Sequence, residues 1–238
     1  MDPRSMGQEL RRRYHEELAG LELSIQSMGR AAQEAFERSI RAATTSDGPL
    51  SEQVIVDDDK IDAYYLDAEK RILDVFALQT PVASDLRLLT CLLHLNLHLE
   101  RIGDMAVNIA KIARNSVGLP RDETVVQHLE EMGGIAGRMV GTAIEAFARR
   151  DLELCYTLPR TDDPIDRLNR GMLNQILRLS TDQALLEWGI QMHVVSRQIE
   201  RIGDHAVDIG EQVAFLITGR FEEFTDASHP EETAKPGP

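Results

Sequence analysis

The chain has 238 residues, enough for one large or two small domains, with 42% hydrophobic and 28% charged residues and a formal net charge of −14. So acidic a surface repels phosphate backbones and anionic lipid, which argues against nucleic-acid binding and suits cations or a basic protein partner; no apolar stretch approaches the roughly 18–20 residues that cross a bilayer, which argues against membrane insertion. Aromatic residues make up only 5%, and the dominance of Leu, Ala, Glu, Arg, Ile and Asp favours helix over sheet.

In chain order, the pattern predicts helices over 8–45, 51–78 and 82–117, then over 122–150, 152–179 and 182–219. Arg11, Arg12 and Arg13 fall on the solvated side of the first. Thr80-Pro81 reads as a cap and first-turn proline for the third. Leu88, Leu92, Leu95, Leu99, Ile102, Ala106, Ile109 and Ala113 give it an apolar seam of alternating spacings four and three. Gly118-Leu119-Pro120 closes it and marks a boundary between halves. The fifth helix contains Pro159 and Pro164, so a break is expected there, with a restart at Asp163 as cap. The sixth carries a matching seam from Trp188 through Met192, Val195, Ile199, Ile202, Ala206, Ile209 and Val213 to Leu216. The expected fold is all-α: two tandem, sequence-related antiparallel three-helix bundles over 1–118 and 119–220, followed by a polar, disordered tail over 221–238.

The halves are related by duplication. ERIGDMAVNIA (100–110) and ERIGDHAVDIG (200–210) agree at eight of eleven positions. Asp58-Asp59-Lys60-Ile61-Asp62 aligns with Asp162-Asp163-Pro164-Ile165-Asp166 at an offset of 104, and the ERIGD strings at an offset of 100. The difference is absorbed in a connecting loop, where length changes cost little.

On a helical wheel of about 100° per residue, Glu100, Asp104 and Asn108 lie within about 80° of one another, almost opposite the apolar seam. Glu200, Asp204 and Asp208 repeat the stripe, and Glu211 extends it. Asp58/Asp62 and Asp162/Asp166 add a parallel acidic pair on the preceding helix of each half. Like charges at i, i+4 repel by a few tenths of a kcal/mol, roughly, and a multivalent cation would relieve that repulsion. Oxygen donors without cysteine or histidine suit hard ions such as magnesium, calcium, manganese or iron. Gly103 and Gly203 inside the motif admit two readings: close helix approach, or room for an ion beside the carboxylates. Arg101 and Arg201 could pair with the carboxylates or with an anion. His98 and His205 read as local hydrogen-bonding residues, and Cys91 and Cys155 as buried reduced thiols.

LERIGDMAVNIA, IERIGDHAVDIGEQVAFLITGRF, DDDKID, the QTPVASDLR segment and the opening YHEEL…MG resemble the PhoU phosphate-signalling family over about residues 10–220. The resemblance implies metal ions (iron, manganese, zinc, magnesium or calcium) held by Asp58, Asp62, Glu100, Asp104, Asn108, Asp162, Asp166, Glu200, Asp204 and Asp208. It further implies a cytoplasmic, non-enzymatic negative regulator of phosphate uptake and starvation signalling. Its partners would be the ATPase subunit of a phosphate ABC transporter and a sensor histidine kinase, and self-association as a homodimer is compatible with it. Asp208 departs from the asparagine usual at that place. A ferritin-like carboxylate-bridged di-iron enzyme and a metal-independent helical scaffold with an acidic surface are the rival readings; against the first, no histidine has a glutamate three positions before it.

Overall fold

A computed structural model of the chain describes residues 3–224, with side chains for Glu9 and from Arg11 onward. The described residues form seven helices: α1 (Pro3–Thr45), α2 (Gly48–Asp57), α3 (Asp59–Leu78), α4 (Ala83–Asn115), α5 (Glu123–Arg149), α6 (Leu152–Leu177) and α7 (Gln183–Thr218). No strand occurs among the described residues. Of the stretch 221–238, residues 225–238 lie outside the described residues. Phe221 stacks on Phe215 with ring centroids 3.8 Å apart, and the Phe224 N–H donates to Glu211 Oε1 at 2.7 Å.

Aspartates start four of the helices. Asp47, Asp122, Asp151 and Asp182 accept backbone N–H bonds from Leu50, Val125, Leu154 and Leu185 at 2.9–3.2 Å, which satisfies amides that have no intrahelical partner. α4 begins differently from expectation. Its cap is Val82 in extended conformation without a side-chain bond, and Thr80-Pro81 belongs to the preceding link. In place of a cap, Asp85 sits in the first turn of α4 and accepts from Tyr14 Oη at 3.2 Å.

The break expected in the second half lies in the first half instead. α6 runs unbroken through Pro159 and Pro164. Cys155, Leu158, Ile165, Met172 and Ile176 are buried along it, and tertiary packing of that seam outweighs two lost backbone bonds. The predicted helix over 51–78 divides at Asp58, where the Ile61 N–H reaches back only three residues, to the Asp58 carbonyl at 2.8 Å. Three consecutive aspartates follow the β-branched run Val54-Ile55-Val56 there, and both residue types disfavour helix interiors.

Among the described helices, α2 and α3 pack only on α1, α4 and each other, and α6 only on α5 and α7, while α4 lies against α7 and α1 against α5 across the halves. One continuous apolar core therefore runs through both halves. Arg150, at the end of α5, reaches across to Glu22 of α1 at 2.5 Å. α4 is consequently enclosed on more sides than its seam indicates: Gly103, Met105, Val107 and Ala110 are buried with it.

Candidate functional site

The two acidic stripes face outward, with Asp62, Asn108 and Asp204 exposed, and their remaining members are partly covered or buried. Each lines a seam between an inner helix and the outer helix packed on it, α4 with α3 and α7 with α6. The glycines explain how the helices come so close. A Cβ on Gly103 would meet Ile61 Cδ1 and Cγ2 at 3.1 Å and Asp58 Oδ1 at 3.4 Å. On Gly203 it would collide with Asp162 Oδ1 and stand 3.4 Å from Ile165 Cδ1. Asp58/Asp162 and Ile61/Ile165 are equivalent positions of the repeat, so each glycine receives the aspartate and isoleucine of its own outer helix. The room left by the missing side chain is filled mainly by Ile61 at Gly103 and by the Asp162 carboxylate at Gly203.

A second repeated contact fixes the register. Asn96 Nδ2 donates to the Tyr65 carbonyl at 3.0 Å, and Ser196 Oγ donates to Asn169 Oδ1 at 3.1 Å. Residues 96/196 and 65/169 carry the offsets of 100 and 104 seen in the motifs. Each is a buried polar bridge between inner and outer helix, and single-helix periodicity does not reveal it.

Crowding shows in the protonation equilibria. Burial, reinforced by Asp62, Asp104 and Glu100, pushes the Asp58 carboxyl up to about 6, against the opposing pull of Lys111. Burial first, then Asp104, also raises Glu100. In the second half Asp204 is pushed up to about 6 by burial, Glu200, Asp166 and Asp208, although its outer edge is exposed. Half-buried carboxylates facing one another disfavour the charged form, and a cation reverses that balance. The donor set fits hard ions on these grounds: carboxylate oxygens, mutual repulsion and partial desolvation.

Individual placements differ. Asp58, Asp62, Glu100 and Asp104 act on one another in the first seam, and Asp166, Glu200, Asp204 and Asp208 in the second. Asp162 is buried against Gly203. Asn108 is exposed on α4 one turn beyond Asp104. Arg101 takes the ion-pair role, 3.3 Å from Asp104 and 3.5 Å from Glu100. In the second half Arg197 stands 2.8 Å from Glu200, and Arg170 stands 3.7 Å from Asp166.

The two histidines are hydrogen-bonded, and to each other. His98 of α4 and His205 of α7 place their Nδ1 atoms 3.0 Å apart, and Asp208 Oδ2 lies 3.5 Å from each. Among the described residues these are the only three His, Cys, Asp or Glu ligand atoms that all lie within 4.8 Å of one another. Burial drives His98 down to about 4 despite the nearby Asp208. This meeting spans 107 residues, beyond any local spacing rule; its one trace in the sequence is Asp208, where the first repeat has Asn108.

The chain matches the PhoU domain twice, over residues 25–113 and 129–213. It is 33% identical over 215 residues to a Mycobacterium tuberculosis protein named phosphate-specific transport system accessory protein PhoU homolog 2, covering 89% of this chain and all of that one. A Caulobacter vibrioides PhoU homolog is 30% identical, with 89% of this chain and 92% of the relative covered. Among solved structures, PhoU from Pseudomonas aeruginosa superimposes with a TM-score of 0.83 at 27% identity, over 87% of this chain and the whole of that one. With its two domain matches falling on the two halves of one helical core, the chain belongs to the PhoU family.

Proposed function

We propose that this protein is a non-enzymatic accessory regulator of phosphate-specific transport, and that its two acidic seams hold multivalent metal ions. The names of its relatives as accessory proteins of that transport system support the regulatory reading. No helix among the described residues is long and apolar enough to cross a membrane, which suits a cytoplasmic protein that docks on a transporter. The contacts are assigned to the transporter's ATPase subunit and to a sensor histidine kinase, with uptake and starvation signalling restrained when phosphate is plentiful.

The observation that carries the metal reading is the paired crowding at Asp58 and Asp204, each pushed up to about 6 by burial and by neighbouring carboxylates. The two stand on opposite sides of their seams, Asp58 beside the outer helix and Asp204 on the inner one, and a cation would neutralise such repulsion in either place. The bound ions would supply positive charge that locks each outer helix to its inner one and fixes the surface offered to partners.

The test is elemental analysis of protein purified without chelator, beside an Asp104→Ala/Asp204→Ala variant. Metal present in the wild type and lost in a variant of unchanged helicity supports the reading. A wild type that stays empty when ions are supplied points to a metal-independent scaffold. For regulation, a phosphate-starvation reporter should be constitutively on in a strain lacking the protein; a reporter that still responds to phosphate overturns the regulatory role.

A further inference from the structure

We infer that His98, His205 and Asp208 form a site for a single zinc-class divalent ion between the two halves, adjoining the second acidic seam through Asp208, which also acts on Asp204. Three features carry it. The first is distance. An ion about 2.0–2.1 Å from three tetrahedral ligands holds them about 3.3–3.4 Å apart. The triangle formed by His98 Nδ1, His205 Nδ1 and Asp208 Oδ2 has edges of 3.0, 3.5 and 3.5 Å. The three donors therefore need only small adjustments to close on one ion, with a fourth position left for water.

The second feature is chemistry. Two imidazoles and one carboxylate select a borderline transition ion, whereas the oxygen donors of the seams suit magnesium or calcium. In the absence of an ion, the contact between the two Nδ1 atoms needs one proton between them. An ion at that point replaces the proton, and the donating histidine passes to its other tautomer, leaving both Nδ1 lone pairs on the metal.

The third feature is position. His98 sits on α4 and His205 and Asp208 on α7, with both rings mostly covered and the Asp208 carboxylate 45% exposed as the way in. The repeat equivalents are Gln198, Met105 and Asn108, a set with no imidazole and no carboxylate. Duplication therefore supplies this place twice and the chemistry once, and one ion per chain is expected. Asp208 lies on the second stripe by sequence, but its Oδ2 stands with the two rings.

Cobalt(II) titration of the full-length, metal-free protein tests the assignment, because four-coordinate cobalt absorbs visible light far more strongly than six-coordinate cobalt on carboxylates and water. Intense bands saturating at one equivalent, displaced by zinc, are expected for the wild type and equally for Asp104→Ala/Asp204→Ala. They should vanish in His98→Ala/His205→Ala. Should that variant not fold, Asp208→Asn, a change at a half-exposed carboxylate, should weaken cobalt binding by at least about tenfold. Weak six-coordinate spectra in the wild type, bands that survive loss of both histidines, bands lost with Asp104 and Asp204, or unchanged affinity in Asp208→Asn would each overturn the site. Because Asp208 also faces Asp204, loss of both histidines is the arm that tests this site alone, and metal content of the acidic seams is measured separately.

Discussion

Asp162 Oδ1 occupies the space that a Cβ on Gly203 would need, while Asp58 Oδ1 keeps 3.4 Å from the equivalent point on Gly103. The same contact is thus tighter in the second repeat. Alanine in a helix interior is favoured over glycine by up to about 1 kcal/mol, so two readings compete. Gly203→Ala is expected to lower the thermal midpoint despite that gain, because the methyl must displace a buried carboxylate. Gly103→Ala, which presses only on Ile61 side-chain atoms at 3.1 Å, should lose less. Circular dichroism melts of both variants decide it; a Gly203→Ala protein as stable as the wild type would refute the close-approach account.

Asp58→Asn should stabilise the metal-free protein at neutral pH. The folded-state carboxyl titrates at about 6, against an ordinary value of 3.8. The folded chain therefore holds the proton more tightly than the unfolded chain, and the associated stability is lost as pH rises through about 6. The amide carries no charge for Asp62, Asp104 and Glu100 to repel, so the variant's advantage should be largest above about pH 7 and shrink toward about pH 4. His98, held down to about 4, acts in the opposite sense, since its contribution fades as pH falls toward that value. It is common to both proteins and cancels in the comparison. Added metal should invert the order by stabilising the wild type alone. A variant that melts below the metal-free wild type at neutral pH would contradict this.

The shared core predicts cooperative unfolding. Trp188, the only tryptophan, is completely buried in α7, so its fluorescence reports the second half while far-UV ellipticity reports both. In urea the two transitions should coincide. Separate midpoints would mean that the halves unfold independently.

Both thiols should be inert in the native protein. Burial pushes Cys91 up to about 12 and Cys155 up to about 11, and the thiolate is the reactive form. A chromogenic disulfide reagent should find no thiol near pH 8, roughly, and two after denaturation. Rapid labelling of either one in folded protein would count against the buried placement.

Much of the fold was legible because helix packing writes itself as period. The residues from Leu92 to Ala113 and from Trp188 to Val213 chosen by four-three spacing are all buried. Duplication added the pairing of outer with inner stripes. What stayed hidden came from neighbours far away in sequence. Met105 and Ala110 are buried on faces that a wheel of one isolated helix assigns no partner. Pro159 and Pro164 signal a break locally and are overruled by packing. Asp58, singled out in the sequence for its carboxylate and not as a helix end, is where the chain does break. The candidate metal stripes were readable as types and spacing, but their desolvation depends on how close glycine lets two helices come.

The repeats are alike in sequence and unlike in mechanics. α3 begins at the discontinuity beside Asp58, next to the carboxylates of its own seam, whereas α6 carries Asp162 and Asp166 in the middle of an uninterrupted rod. Electrostatic load on the first seam falls where the helical hydrogen-bond ladder is interrupted. The same load on the second must be borne along the whole length of α6. Two copies of one ancestral motif thus carry their carboxylates differently, the first at a joint between helices and the second within one helix that already lacks the N–H groups of Pro159 and Pro164.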